Sequence, residues 1–234
     1  DTTANLGEAP WSGWDPWRIR IDSMTCPSST NPDRTNNGQV TSRNYYFNLG
    51  DADKKKDDPM NNTRGVFQKN INNALRMADI IDGTSTTIAM SEKIAMTDAS
   101  RVMTGGWGDA DVSSNPTECI ASAPSGRYTT GAIEDTRWND GRPAYVGFHT
   151  ILAPNSPNCA RAGGNIHDDD WILGTATSLH PGGVNVLMCD GVVKFISNDV
   201  DTGNATANYP TGGESPYGIW GKLGSRAGGE AVGE

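Results

Sequence analysis

No stretch of this 234-residue chain approaches the run of ~20 apolar residues that a membrane-spanning helix needs, so the chain reads as soluble. Positive charge is scarce: Lys and Arg total 19 against 28 Asp and Glu, a net charge of -9. Phosphate binding needs clustered Lys and Arg, so nucleic acid is excluded as a partner. The four cysteines, Cys26, Cys119, Cys159 and Cys189, form no Cys-x-x-Cys pair, which excludes a zinc ribbon and a thioredoxin-type redox motif. A Gly-x-Ser-x-Gly elbow, a His-Glu-x-x-His helix and a phosphate loop are also missing. Only three histidines occur, His149, His167 and His180. Ser91 and Ser178 are possible nucleophiles and acids abound, but no spacing singles out a triad. The expectation is a protein that is not an enzyme.

What the chain has in quantity is small and turn-forming residues: 28 Gly and 13 Pro, with many Ser, Thr, Asn and Asp. Such a composition favours many turns and short strands over long helices. Seven Trp, six Tyr and four Phe can still anchor a core, and the length is enough to bury one. The expected fold is α+β, mainly antiparallel β with long loops, in a single domain over residues 1–234. The charged fraction of 20% leaves much of the surface to Asn, Ser, Thr and Gly, as is common in secreted proteins. An even cysteine count in such a chain favours an oxidising compartment. Cys119 and Cys159 lie in one loop-rich stretch and are the favoured pair. Cys26 and Cys189 then form a second bond, or stay as buried free thiols.

Along the chain, Trp11, Trp14 and Trp17 recur every three residues, but Pro10, Gly13 and Pro16 break any helix. An extended arm over residues 1–17, docking its Trp rings, is expected. Arg18–Asp22 alternates like a half-buried strand, and Ser42–Leu49, Gly65–Phe67 and Thr86–Ser91 read as further strands. Ala74–Ile81 reads as a short helix or a strand. The charged stretch 51–63 reads as a solvated loop. Residues 103–170 are irregular, with one strand candidate at Tyr145–Leu152; long loops of this kind are often functional. Ile172–Leu179 is a strand candidate, and Tyr217–Leu223 a short helical turn. Val184–Cys189 and Val192–Ile196 flank Asp190-Gly191, a strong hairpin signal that predicts a type I′ turn.

The hairpin has a wider context. His180-Pro181-Gly182-Gly183 precedes it, and nine residues separate His180 from Asp190-Gly191. The chain resembles the prepilin-type H-x9-DG domain family, pilin-like proteins abundant in planctomycete bacteria. Met24-Thr25-Cys26-Pro27-Ser28 resembles the family's Cys-Pro-Ser segment. Ile81-Asp82-Gly83-Thr84-Ser85-Thr86-Thr87-Ile88 resembles its Asp-Gly-Thr-Ser-Asn-Thr-Ile block, with Thr86 where Asn is usual. Ala153-Pro154-Asn155-Ser156-Pro157-Asn158-Cys159 resembles its Pro-Asn-Ser-Pro-x-Cys segment, and Tyr217–Gly221 with Arg226–Glu230 its C-terminal end. The five segments stand in the family's order from about residue 24 to residue 230.

The resemblance implies a pilin-like globular head. Family members carry a prepilin leader and a long apolar N-terminal helix, and that helix is absent from this chain. Asp1 is not a methionine, so the chain reads as a processed or truncated product, or as a sequence whose beginning is not included. A cysteine near the missing helix would be another partner for Cys26. The hairpin over residues 178–197 places His180 and Asp190 at opposite ends, so a direct pair between them is disfavoured. The reading for these two is that each caps one end, with Gly182, Gly183 and Gly191 giving the backbone its freedom. Asp82 and Gly83 belong to the same motif set.

The implied work is structural: self-association into an extracellular filament or surface layer by contacts that do not close. The candidate self-contacts are Trp11, Trp14 and Trp17 and the Asn/Thr/Gly loops; the same Trp residues are candidates for stacking on sugars, or they anchor the N-terminal arm on this domain or on a neighbouring subunit. A minor pseudopilin-like component of a secretion system and a surface carbohydrate-binding protein are the other readings. The expected partners are copies of itself, with secretion or pilus machinery next; a membrane enters only through the absent helix. No cofactor is expected, with calcium the exception to consider. Its oxygen-rich candidates are Asp51/Asp53/Asp57/Asp58, Asp109/Asp111 and the loop after His167, where Asp168, Asp169 and Asp170 are preferred.

Overall fold

A computed structural model describes residues 7–33, 35–36, 38, 40–52, 63–68, 74–132, 137–161 and 172–229. Among the described residues, two mixed sheets carry the fold. The first has five strands: β3 (Tyr45–Gly50), β4 (Ile88–Glu92), β7 (Gly147–His149), β10 (Gly183–Met188) and β11 (Val193–Ser197). Their order is β11-β10-β4-β3-β7, antiparallel except for the parallel β3–β7 pair. The second has four strands: β5 (Trp107–Asp109), β6 (Gly131–Ala132), β8 (Asn158–Ala160) and β9 (Ile172–Leu173), in the order β6-β5-β8-β9. A bridge between His149 and Thr175 links the two. β1 (Thr35–Asn36) and β2 (Val40–Thr41) form a small ribbon. The helices are short: α1 (Thr117–Ser122), α2 (Pro143–Val146) and α3 (Gly218–Gly224). The fold is α+β with little helix, as the composition indicates. No helix of the described residues is long and apolar enough to cross a membrane.

The alternation in β10 fixes which side of the first sheet is core. Val184, Val186 and Met188 are buried, while Asn185 and Leu187 are half-buried on the other face. The buried face packs Tyr46, Ile88 and Phe148 against Trp220 and Leu223 of α3. The Trp220 indole donates to the Leu152 carbonyl at 2.9 Å, so its polar edge is satisfied inside the core. A second cluster gathers Val112, Ile151, Leu152, Leu173 and Tyr217 around the Cys119–Cys159 disulfide, whose Cα atoms lie 5.6 Å apart.

Several sequence expectations are corrected. Arg18–Asp22 forms no strand; 3-10 turns at Asp15–Arg18 and Asp22–Met24 frame it, because Pro16 opens the first turn and no neighbouring strand pairs with the alternating residues. Gly65–Phe67 is an irregular segment hydrogen-bonded to Leu49 and Asn48, and Tyr145–Leu152 divides into the end of α2 and β7. Ala74–Ile81 contains a 3-10 turn at Met77–Asp79. The irregular stretch 103–170 carries β5–β8, α1 and α2. Its strands are two or three residues long, too short for alternation to show. The hairpin turn is not type I′: of Asp190 and Gly191 only Gly191 has positive φ, at 92°. Cys189, Asp190 and Gly191 form a three-residue loop closed by Gly191 N–H to the Met188 carbonyl. At the other end, Gly183 is required by close approach, since a Cβ there would fall 2.1 Å from the Ile196 carbonyl oxygen.

The Trp arm docks on its own domain. Trp14 meets Trp17 edge-on, Trp17 meets Trp138 edge-on, and the Trp138 indole donates to the Trp17 carbonyl. Trp11 lies under the Arg142 guanidinium.

Replacing Cys119 and Cys159 together by alanine should lower the unfolding free energy by about 3–4 kcal/mol, the loop-closure value for their sequence separation of 40. A urea titration of the oxidised protein and the double variant reads this directly.

Candidate functional site

The segments singled out in the sequence gather at the two ends of the β10–β11 hairpin. At the first end, β4 finishes on Glu92, whose side chain is buried and points to the outer face of the sheet. Asn185 N–H donates to Glu92 Oε2 at 2.8 Å, and the Asn185 amide lies 3.3 Å from both carboxylate oxygens. This leaves Oε1 for two further groups: His180 Nε2 at 3.0 Å and Cys26 Sγ at 3.9 Å. The three ligand-type atoms of Cys26, Glu92 and His180 all lie within 4.8 Å of one another.

Each of the three is held by its own backbone setting. Cys26 sits in the turn that Pro27 opens, its N–H donating to Asn44 Oδ1 and its carbonyl accepting from Ser29 N–H. His180 N–H donates to Ser178 Oγ, and that hydroxyl donates to the Gly183 carbonyl, which curls the chain into β10. Ser178 N–H in turn donates to Asn155 Oδ1, and Asn155 holds Asn198 beyond β11. Asn155 has a φ of 64°, a conformation Asn tolerates better than most residues. A small cavity of about 20 Å³ lined by Ser28, Ser29, Thr30 and Ser178 adjoins Cys26 and Glu92, enough for one water. Tyr45 borders the cluster; burial, then the neighbouring Cys26 and Glu92, pushes its phenol above the ordinary range.

The second end is a clamp on the C-terminal segment. Cys189 and Asp190 N–H donate to the Thr87 and Thr84 carbonyls, and Asp190 Oδ1 accepts from Val192 N–H. Asp82 accepts from Gly228 N–H at 2.6 Å and Gly229 N–H at 2.9 Å. Gly83, with φ 96°, turns the chain so that Thr87 can donate to its carbonyl. His180 and Asp190 therefore work at separate places.

A family model described as "Protein of unknown function (DUF1559)" matches residues 1–203. The chain belongs to the DUF1559 family. That family is associated with prepilin-like H-x9-DG proteins. No curated protein and no solved structure matches the chain.

Other candidates of this DUF1559 member fall elsewhere. Cys26 and Cys189 are free thiols at opposite ends of the hairpin, so of the two readings the second disulfide does not form, and both thiols are half-buried rather than buried. Burial, then Asp190, pushes the Cys189 thiol up to about 11, which keeps it protonated. Ser91 and Ser178 spend their hydroxyls on the Asn185 and Gly183 carbonyls. Asp51 forms a buried ion pair with Arg64, 2.6 Å apart. Asp111 accepts from Ser113 N–H, and Asp109 ends β5. Asp53, Asp57, Asp58, His167, Asp168, Asp169 and Asp170 lie outside the described residues.

Sequence reasoning missed Glu92. The signal was present: it lies one residue past the apolar run Thr86–Ser91, in step with Met90 on the outer face. It also missed Lys93, which points the opposite way and is fully buried. Lys93 Nζ donates to Asn158 Oδ1 and to the Thr175 carbonyl, and lies 4.6 Å from the Trp107 ring and 5.4 Å from that of Tyr46. Burial lowers its pKa to about 7. His149, also buried, is lowered to about 4 by desolvation first and by the Lys93 charge second.

The sign for His149 follows from its lowered value. Between about pH 4 and 6.5 the unfolded chain holds more protons at this position than the folded one, so stability falls as pH drops through that window. The loss should reach about 3 kcal/mol. Urea titrations across this range should show the component in the wild type and not in His149→Asn.

Proposed function

We propose that this chain is a pilin-like structural protein of the cell surface that self-associates into an extracellular filament or surface assembly. Membership in a family associated with prepilin-like H-x9-DG proteins supports the pilin-like part. The disulfide suits an oxidising compartment. A structural rather than catalytic role is favoured because the two candidate serines serve the backbone, and because His180 meets a carboxylate, with no thiol–imidazole–carboxylate order.

The observation that carries self-association is the outer face of the five-stranded sheet. Phe47, Met90, Leu187 and Val193 are register partners in one row across β3, β4, β10 and β11. They line a groove of about 810 Å³ with Met24 and Tyr45. The row runs out to β11, which has a paired neighbour on one side only among the described residues. Val193 and Phe195 on that strand are 64% and 53% exposed. An apolar edge strand with unpaired backbone groups is a template for another chain. A second copy seated there covers the apolar row and extends the sheet, and repetition of such a contact builds an open assembly. The Trp arm is folded onto Trp138 with Trp17 half-buried, while Trp11 and Trp14 stay exposed beside it.

Sedimentation velocity over a concentration series, with negative-stain microscopy of the concentrated sample, tests this. The wild type should assemble, and V193K/F195E should stay monomeric with an unchanged melting temperature. A wild type that stays monomeric, or a folded double variant that assembles equally well, overturns the reading.

A further inference from the structure

The cluster at the start of the hairpin joins three different donors from three distant parts of the chain. A thiol comes from the Cys26 turn, a carboxylate from the end of β4, and an imidazole from the segment before β10. Two groups on one tetrahedral zinc-type ion stand about 3.3–3.6 Å apart, given metal–ligand lengths near 2.0–2.3 Å. Here Glu92 Oε1 lies 3.0 Å from His180 Nε2 and 3.9 Å from Cys26 Sγ, and all three ligand atoms lie within 4.8 Å of one another, so side-chain adjustment on binding brings them around one ion. The donor set also selects the ion. Calcium and magnesium do not take thiolate or imidazole, whereas zinc accepts sulfur, nitrogen and oxygen together.

The surroundings are arranged as those of a ligand set. The Asn185 N–H fixes Glu92 Oε2 and the Asn185 amide lies 3.3 Å from both oxygens, which orients the carboxylate with Oε1 toward the thiol and imidazole, the kind of contact that metal-binding carboxylates have. The backbone N–H groups of Cys26 and His180 are anchored by Asn44 and Ser178, which sets where both side chains start. The adjoining cavity of about 20 Å³, lined by Cys26 and Glu92, has room for one water beside these two residues.

We propose that Cys26, Glu92 and His180 bind one zinc-class divalent ion, which ties the Cys26 turn, β4 and the start of the β10–β11 hairpin together. Binding exchanges the Cys26 thiol proton for the metal, so that proton is released to solvent. The proposal does not depend on the self-association reading.

The test uses the chelator-stripped chain with Zn2+ and Co2+ as probes. Isothermal titration should show one ion bound per chain. The Co2+ form should show a near-ultraviolet sulfur-to-cobalt charge-transfer band. Zn2+ should slow alkylation of Cys26 and leave that of Cys189 unchanged. Binding should be lost in Cys26→Ser and His180→Asn, kept in Cys189→Ser, and weakened about tenfold in Asn185→Ala. The cobalt band and the alkylation contrast are read on the wild type, so they stand even where a variant fails to fold. A wild type that melts cooperatively yet binds no ion overturns the proposal. So does binding without the thiolate band, or binding unchanged in folded Cys26→Ser and His180→Asn.

Discussion

The Glu92 carboxylate is the contact on which the arrangement of the described chain turns. A buried carboxylate is tolerated only where its lone pairs find donors. Glu92 finds them on β10, through the Asn185 amide and N–H, and on the segment before it, through His180. Those bonds fix the register of β10 against β4, while Asn44 holds the Cys26 turn beside them. Shifting β10 by one residue would turn Val184, Val186 and Met188 out of the core and take the Asn185 donors away from Glu92. The polar bond and the apolar face therefore specify the same register.

The spacing between His180 and Asp190 follows from this. β4 and β10 are antiparallel, so the residues before β10 meet the end of β4 and the residues after it meet the start. His180 reaches Glu92, while Cys189 and Asp190 reach Thr87 and Thr84. The nine intervening residues measure one traverse of the sheet beside β4. The motif residues at both ends are structural partners of β4 and its approach: Asp82 and Gly83 gather the C-terminal segment there, and Asn155 props Ser178 at the opposite end.

Part of this was legible in the sequence. The hairpin, the strands at β3 and β4 and the terminal helical turn could be read from apolar alternation and turn residues. The Cys119–Cys159 bond was suggested by the two cysteines sharing one loop-rich stretch. The second sheet was not legible, because its strands are two or three residues long and lean on one another. The site was half legible. Its histidine and cysteine stood in motifs, but Glu92 stood in none; the antiparallel β4–β10 pairing brings it to His180, and the β3–β4 pairing brings it toward the Cys26 turn. Cys26 was weighed as a disulfide partner because cysteine count says nothing about distance. Lys93 was invisible for a different reason. A lysine next to Glu92 reads as a solvated pair, whereas strand alternation sends the two to opposite faces and buries both.

The alternation at Glu92 and Lys93 also separates the two faces of the sheet by task. The inner face is closed: its lysine is caged by Trp107 and Tyr46 and hydrogen-bonded to Asn158, and burial alone keeps its proton loosely held. The outer face is open, with an apolar row ending on an edge strand and a polar cluster at one end of it. A chain with a net charge of -9 repels its own copies, and that repulsion acts over about 10 Å at 0.1 M salt. Short-range apolar contact and backbone pairing are the forces that can exceed it, and the outer face is where this chain offers both. Lys194 is the one charged side chain on β11, and it donates to the Ser85 carbonyl. The usual device that keeps edge strands apart, a charge projecting from the edge, is thus drawn back onto the chain itself.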